Sequence, residues 1–128
     1  MAIAVSTAVS KPGSVSGFSL LEILIVTAII SLLAAIAIPQ FTSYRLGSID
    51  SQMKSDLRNA ATAMESYYGE HKIYPISVNS IKAVGFRQTD GVTLDITVTP
   101  PSSFTLTASK PGGNQPSFTY DSTTGNIN

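Results

Sequence analysis

Apolar residues follow three different rhythms along the chain. From Phe18 to Ile38 the sequence reads FSLLEILIVTAIISLLAAIAI, 21 residues with a single charge and no polar face. As a helix this stretch spans about 32 Å, enough to cross a bilayer core. From Leu46 the rhythm becomes helical. Leu46, Ile49, Met53, Leu57, Ala60, Met64 and Tyr67 recur at spacings of 3, 4, 4, 3, 4 and 3, the stripe of an amphipathic helix. Beyond residue 90 the period is two. Val92, Leu94, Ile96 and Val98 alternate with polar residues, as do Phe104, Leu106 and Ala108, and then Phe118 and Tyr120. These are half-buried strands. Pro100-Pro101 and Pro111-Gly112-Gly113-Asn114 supply the turns, and such short connections predict an antiparallel meander of three strands. Thr124-Gly125-Asn126 is read as turning a short last strand.

The joints between these stretches carry helix-disfavouring residues. Residues 39–47, PQFTSYRLG, hold Pro39 and Gly47, so either a kink or local unwinding, or simply a bent helix, is expected there. Gly69 is a plausible stop, and Tyr74-Pro75 works against continuation. Residues 19–68 are thus read as one helix of about 75 Å, half in lipid and half in water. Asp50 and Lys54 form an i, i+4 pair, and Asp50, Asp56, Glu65 and Glu70 are read as a solvated face. Residues 70–90 are a loop with a short helix near Val78–Val84. Three strands alone are marginal, and the stripe on 46–67 is the natural cover for their apolar face. The fold class is α+β: a long N-terminal helix whose apolar half seeks a membrane or filament core and whose amphipathic half packs on a small antiparallel sheet. The segments are 1–17, 18–45 and 46–128, the last comprising a helix to 69, the loop 70–90 and the sheet 91–128.

Charge sharpens the division. Lys and Arg total 8 and Asp and Glu total 8, a balance with no field to steer nucleic acid, so no nucleic-acid partner is expected. Residues 1–44 hold two of these charges, Lys11 and Glu22. With no Cys, disulfides and thiolate chemistry are excluded, and with one His, His71, a His-based metal site or triad is not expected. The sheet is therefore expected to hold by burial alone. No catalytic motif, metal site or cofactor site is expected, and the region beyond the helix is small for a catalytic cleft.

The apolar stretch is longer than the core of a secretory signal, and its far end, IAIPQFTSYR, is a poor cleavage site. Within it Glu22 stands alone. An acid at the centre of a membrane helix costs roughly 2.5–3.5 kcal/mol on insertion scales, and less near an end. Glu22 is either an acid tolerated near the headgroups or one awaiting a cation. No Lys or Arg lies within the segment, but an α-amino group would serve if the chain began close by. Lys11-Pro12-Gly13 cannot extend the helix upstream. Gly17 precedes Phe18, and cutting there would create an amino terminus four residues from Glu22.

Gly17, Phe18 and Glu22 ahead of a long apolar helix resemble the prepilin signature of type IV pilins and type II secretion pseudopilins. The likeness continues through Ala34-Ala35-Ile36-Ala37-Ile38-Pro39-Gln40-Phe41 and Tyr44-Arg45. It implies that residues 1–17 are a leader removed after Gly17 by a prepilin peptidase, that Phe18 is N-methylated, and that the apolar helices bundle into a filament core. It implies that Glu22 pairs with the terminal amine of a neighbouring subunit. The implied partners are further copies of the chain, the peptidase, the inner-membrane assembly platform with its ATPase, and membrane lipid. The implied localisation is the bacterial inner membrane as a single-pass precursor, then an extracellular filament. The leader departs from the pattern, with one Lys six residues before the cut. The segment AIPQFTSYR, and the lack of an evident acidic calcium loop after the sheet, favour a type IV pilus subunit, with a type II secretion pseudopilin as the alternative.

Overall fold

The computed structural model describes residues 2–10, 13 and 16–128. The chain divides into two units, Met1–Ala37 and Ile38–Asn128, and one helix, α1 (Leu20–His71), contributes to both. In the first unit the described residues before Leu20 form no helix or strand. Lys11 and Pro12, expected to break the helix, lie outside the described residues. From Leu20 to Ala37 every side chain is exposed except that of Ala34, which is half-buried.

In the second unit α1 continues without interruption through Pro39 and Gly47. The unwound alternative for 39–47 is therefore not the conformation taken. Pro39 has no N–H to give to the carbonyl one turn back, but the following turns are closed as usual. The Thr42 hydroxyl also donates to the Ile38 carbonyl at 3.2 Å, and the Ser51 hydroxyl to the Gly47 carbonyl at 2.8 Å. The helix passes Gly69 and ends at His71. The Lys72 N–H bonds the Tyr68 carbonyl at 2.8 Å, with Lys72 itself left-handed at φ 60°, a frequent way to close a helix. Tyr67 stacks on His71 with centroids 4.0 Å apart, and Tyr68 on Tyr74 at 4.6 Å, so the last turn is packed on both sides.

Helix α2 (Val78–Ala83) follows, with Ser77 as its N-cap accepting the Asn79 N–H. Its C-terminal turn reverses at Gly85, whose φ of 102° favours a residue without a side chain. Strands β1 (Thr93–Thr99), β2 (Ser103–Ser109) and β3 (Ser117–Asp121) form an antiparallel sheet in that order. The register sets Ile96 opposite Leu106 and Leu106 opposite Tyr120, so the apolar positions share one face. After the turn at 122–126, the tail returns to β3 through a single bridge, Tyr120 to Ile127, rather than as a further strand.

The stripe on α1 covers that face. Met53, Leu57, Ala60 and Met64 are buried with Leu94, Phe104, Leu106, Ala108 and Phe118, and with Ile81 and Phe86 from the α2 region. Leu46, Ile49 and Tyr67 are half-buried at its margins. The ammonium of Lys54 lies 4.5 Å from the centre of the Phe118 ring, a cation–π contact that caps the core edge.

Polar clips add to this burial, which corrects two sequence readings. Asp56 is not on a solvated face. It is 1% exposed, and its carboxylate accepts the Thr89 N–H at 2.8 Å and the Thr89 hydroxyl at 2.6 Å. Position 56 adjoins Leu57 on the buried side, so this carboxylate must be paired to be tolerated. Asp50 faces the β2–β3 turn. It accepts the Asn114 N–H at 2.9 Å, the Asn114 side-chain amide at 3.0 Å and the Gln115 N–H at 3.4 Å. A Cβ at Gly113 would collide with Asp50 Oδ1, so this turn approaches the helix only with glycine there. A third clip runs through Lys110, which donates to Gln52 Oε1 at 2.8 Å and the Asp90 carbonyl at 2.7 Å. The sheet is thus held by burial and by clips at both of its flanking loops.

Asp56→Ala removes two hydrogen bonds and leaves Thr89 without its acceptors. A loss on the order of 2–3 kcal/mol is expected, read as a lower urea midpoint of the detergent-solubilised chain, with Glu70→Ala as an exposed reference that leaves the midpoint unchanged. The Asp50 clip carries an acid dependence. Desolvation pushes its carboxyl up, but the Asn114 side chain, the Gln115 and Asn114 N–H groups and Lys54 more than offset this, leaving it below its ordinary value of 3.8. A depressed folded-state value gives stability that is present above the unfolded value and lost as pH falls through the folded one. The stability gap between wild type and Asp50→Asn should therefore be constant from pH 7 to about 5 and shrink below 3.8. A gap of the same size at pH 3 would contradict the clip.

Candidate functional site

The junction before α1 places the sequence-predicted residues together. Gly17, Phe18 and Glu22 line one shallow hollow of about 220 Å³ with Ser16. Gly17 and Phe18 are in extended, non-helical chain, and the helix starts two residues later. Nothing lies within 4 Å of where a Gly17 Cβ would stand, so the fold of this chain sets no demand for glycine there. Phe18 is 80% exposed.

Ser19 is the residue that starts the helix. Its hydroxyl accepts the Glu22 N–H at 3.1 Å, and its carbonyl accepts the Ile23 N–H at 3.3 Å. This is an N-cap with Glu22 in the third helical position, where the helix dipole favours a negative charge. Further along, Thr27 and Ser31 return their hydroxyls to the Leu24 and Thr27 carbonyls at 3.0 and 2.7 Å. They thereby satisfy themselves in an apolar setting. Glu22 enters this pattern through its backbone N–H alone, and its side chain is exposed. Pro39 and Gly47, the other candidate positions, lie further along the helix and do not line this hollow.

Elsewhere the described residues offer no catalytic arrangement. No three His, Cys, Asp or Glu among them come together to hold a metal ion. The His71 ring nitrogen lies against the Tyr67 carbonyl, a helix-end contact. Two aspects of the site were missed in the sequence. The Ser19 cap had a signal, the spacing Ser19-x-x-Glu22 that marks a helix start. The Asp56 clip had a weaker one, an acid set among Met53, Leu57 and Ala60.

A non-helical junction at Gly17-Phe18, an acid in the first turn and a long exposed apolar stretch define a class, the membrane-inserted subunits that assemble by their N-terminal helices. Comparison with known proteins agrees. Residues 13–38 match the prokaryotic N-terminal methylation motif. The type IV wide pilus major component PilA4 of Thermus thermophilus is 32% identical over 98 residues, 76% of this chain and 75% of that protein. The type IV major pilin protein PilA of Myxococcus xanthus is 43% identical over 65 residues, 51% of this chain but 30% of that protein. The type II secretion system core protein G of Pseudomonas aeruginosa is 32% identical over 69 residues, 54% of this chain and 49% of that protein. The chain belongs to the type IV pilin family. Its apolar stretch is long and apolar enough to cross a membrane, and none of it is buried by the rest of the chain.

Since the fold makes no use of Gly17, its replacement should act on processing alone. Gly17→Val is expected to leave uncut precursor in the membrane with an intact folded sheet, because a branched side chain blocks approach to the backbone before Phe18. Gel mobility and N-terminal sequencing read this out, and a mature band of normal size would refute it.

Proposed function

We propose that the chain is a structural subunit of a type IV pilus. It enters the bacterial inner membrane through its apolar helix as a single-pass precursor and loses residues 1–17 to a prepilin peptidase. N-methylated at Phe18, it is drawn by the assembly platform and its ATPase into an extracellular filament. Its work is assembly rather than catalysis. The segments 1–17, 18–45 and 46–128 are then leader, filament-core helix and exposed domain. The stretch Pro39–Gly47 is where the helix would bend or melt under tension.

The observation that carries this reading is the isolation of Glu22. Glu22 lines one hollow with Gly17 and Phe18, on a stretch whose apolar side chains are exposed. Once the bond after Gly17 is cut, the α-amino group at Phe18 is the cation such an acid requires. In apolar surroundings an unpaired carboxylate tends to take up a proton, and a paired one stays charged. A new subunit bringing its ammonium to a neighbour's Glu22 makes this pairing a signal for addition. A relative of which the chain covers 75% is named as the major component of a wide pilus, which supports the reading. The likeness to a type II secretion core protein keeps a second reading, a pseudopilin. That protein would form no surface fibre at native expression.

Electron microscopy of sheared surface fibres, with sequencing of their main band, tests the proposal. The band should begin at methylated Phe18. Glu22→Leu should insert, be cut and fold, yet be depleted several-fold in fibres relative to its membrane pool when co-expressed with wild type. Equal representation in both would end the pairing role of Glu22. Fibres lacking this chain would end the pilus reading.

A further inference from the structure

The second unit keeps its large apolar side chains inside with few exceptions. Among the described residues of this unit the exposed ones are Ile38, Phe41, Tyr44, Ile73 and Ile76. They fall into two groups at opposite ends of its helical segment. Tyr44 and His71 are 27 residues apart on α1, about 40 Å along its axis.

The first group borders a hollow. Phe41, Tyr44, Arg45, Ile49 and Gln52 of α1 and Lys110 from the end of β2 enclose about 520 Å³. Its wall is mainly apolar and its rim is cationic. Lys110 gives two of its three donors to Gln52 and Asp90, which fixes the ammonium at the rim and leaves one for another acceptor.

The second group is a knob. Ile73 is 64% and Ile76 81% exposed, yet the loop that bears them is firmly held. Between them Tyr74 turns inward to stack on Tyr68 at 4.6 Å and to meet the Phe104 ring at a tilt of 57°, 4.8 Å away. Its hydroxyl donates to Glu65 at 3.1 Å, and Pro75 is buried. Lys72 in left-handed conformation precedes the loop and the Ser77 cap follows it. Two stiff β-branched side chains are therefore held out in water with little freedom left to lose on contact. The acids Glu65 and Glu70 flank the knob, and Lys72 is its adjacent cation.

We propose that the Ile73–Ile76 knob of one copy of this chain seats in the Phe41–Tyr44–Lys110 hollow of the next, an inference that rests on the filament reading above. The apolar side chains fill the apolar wall. Glu70 of the incoming copy approaches the Arg45 and Lys110 rim. The two surfaces are different, so the contact is heterologous. Repeated without closure it generates a helical polymer, with successive partners offset by about 40 Å along the helix direction.

The chain has no Cys, so introduced cysteines report this contact cleanly. Ser48 also lines the hollow; in filaments of the Ser48→Cys/Ile76→Cys double variant, oxidation or a short bifunctional maleimide should give a ladder of linked subunits. The yield should be at least tenfold above the pair Ser48→Cys/Thr97→Cys, whose second position is exposed on β1. Should the double variant fail to assemble, the two single variants are co-expressed with wild type, and the linked dimer is sought in the mixed fibres. A ladder, or that dimer, supports the contact. Fibres whose subunits stay unlinked, link equally in the control pair, or link through the thiol introduced at position 76 to a different protein overturn it. Wild-type cells without fibres would instead overturn the filament reading itself.

Discussion

One helix in this chain must satisfy two solvents. Residues 20–38 present apolar side chains in every direction, and among the described residues all but Ala34 are exposed. Residues 46–67 present a stripe whose central residues, Met53 to Met64, are buried under a small sheet and the α2 region. A stretch that is apolar all round has no stable place in water. It must lie in lipid or against other copies of itself. Every functional feature follows from moving that stretch from the first environment to the second, and Glu22 is the group whose comfort differs between them. In lipid it is an isolated acid. On the pairing proposed above, it becomes half of a pair beside a neighbour's new amino terminus.

The second unit faces a different problem, stability at small size. A three-stranded sheet against one helix is near the lower limit of what burial supports. No disulfide is available. The chain uses side chains of α1 instead, each reaching a loop that the sheet leaves unsupported. Asp50 takes the β2–β3 turn, Gln52 takes Lys110, and Asp56 takes the segment before β1. These three lie within two turns of the helix. They tie the connecting loops to the same element that supplies the core, so loop position and core packing are set together.

The two ends of the second unit then acquire different characters. One end of its helical segment carries a hollow with a cationic rim, and the other carries a rigid apolar knob flanked by acids. Such polarity suits a chain that adds in one direction, because like ends do not match and a closed dimer gains nothing.

The sequence by itself determined which segments exist and which faces they bury. Unbroken apolarity at 18–38, period 3.6 at 46–67 and period two after residue 90 each reflect a local rule of backbone geometry, and a local rule is legible without knowing the neighbours. That Gly17, Phe18 and Glu22 lie together was legible for the same reason, since their relation is a spacing along one short segment. What only the tertiary structure decided were the pairings between residues far apart in sequence. Asp56 read as a solvated acid because its partner, Thr89, lies 33 residues on. Asp50 read as a partner for Lys54 because Asn114 lies 64 residues on. The helix ran through Gly47 and Gly69 because a glycine costs only about 1 kcal/mol in a helix, and through Pro39 because the turns on either side close as usual around its one missing bond. The exposure of Ile73 and Ile76 was equally hidden, since it depends on Tyr74 and Pro75 taking the inward positions between them. Periodicity records which face meets the core, and only the folded chain records which group is waiting there.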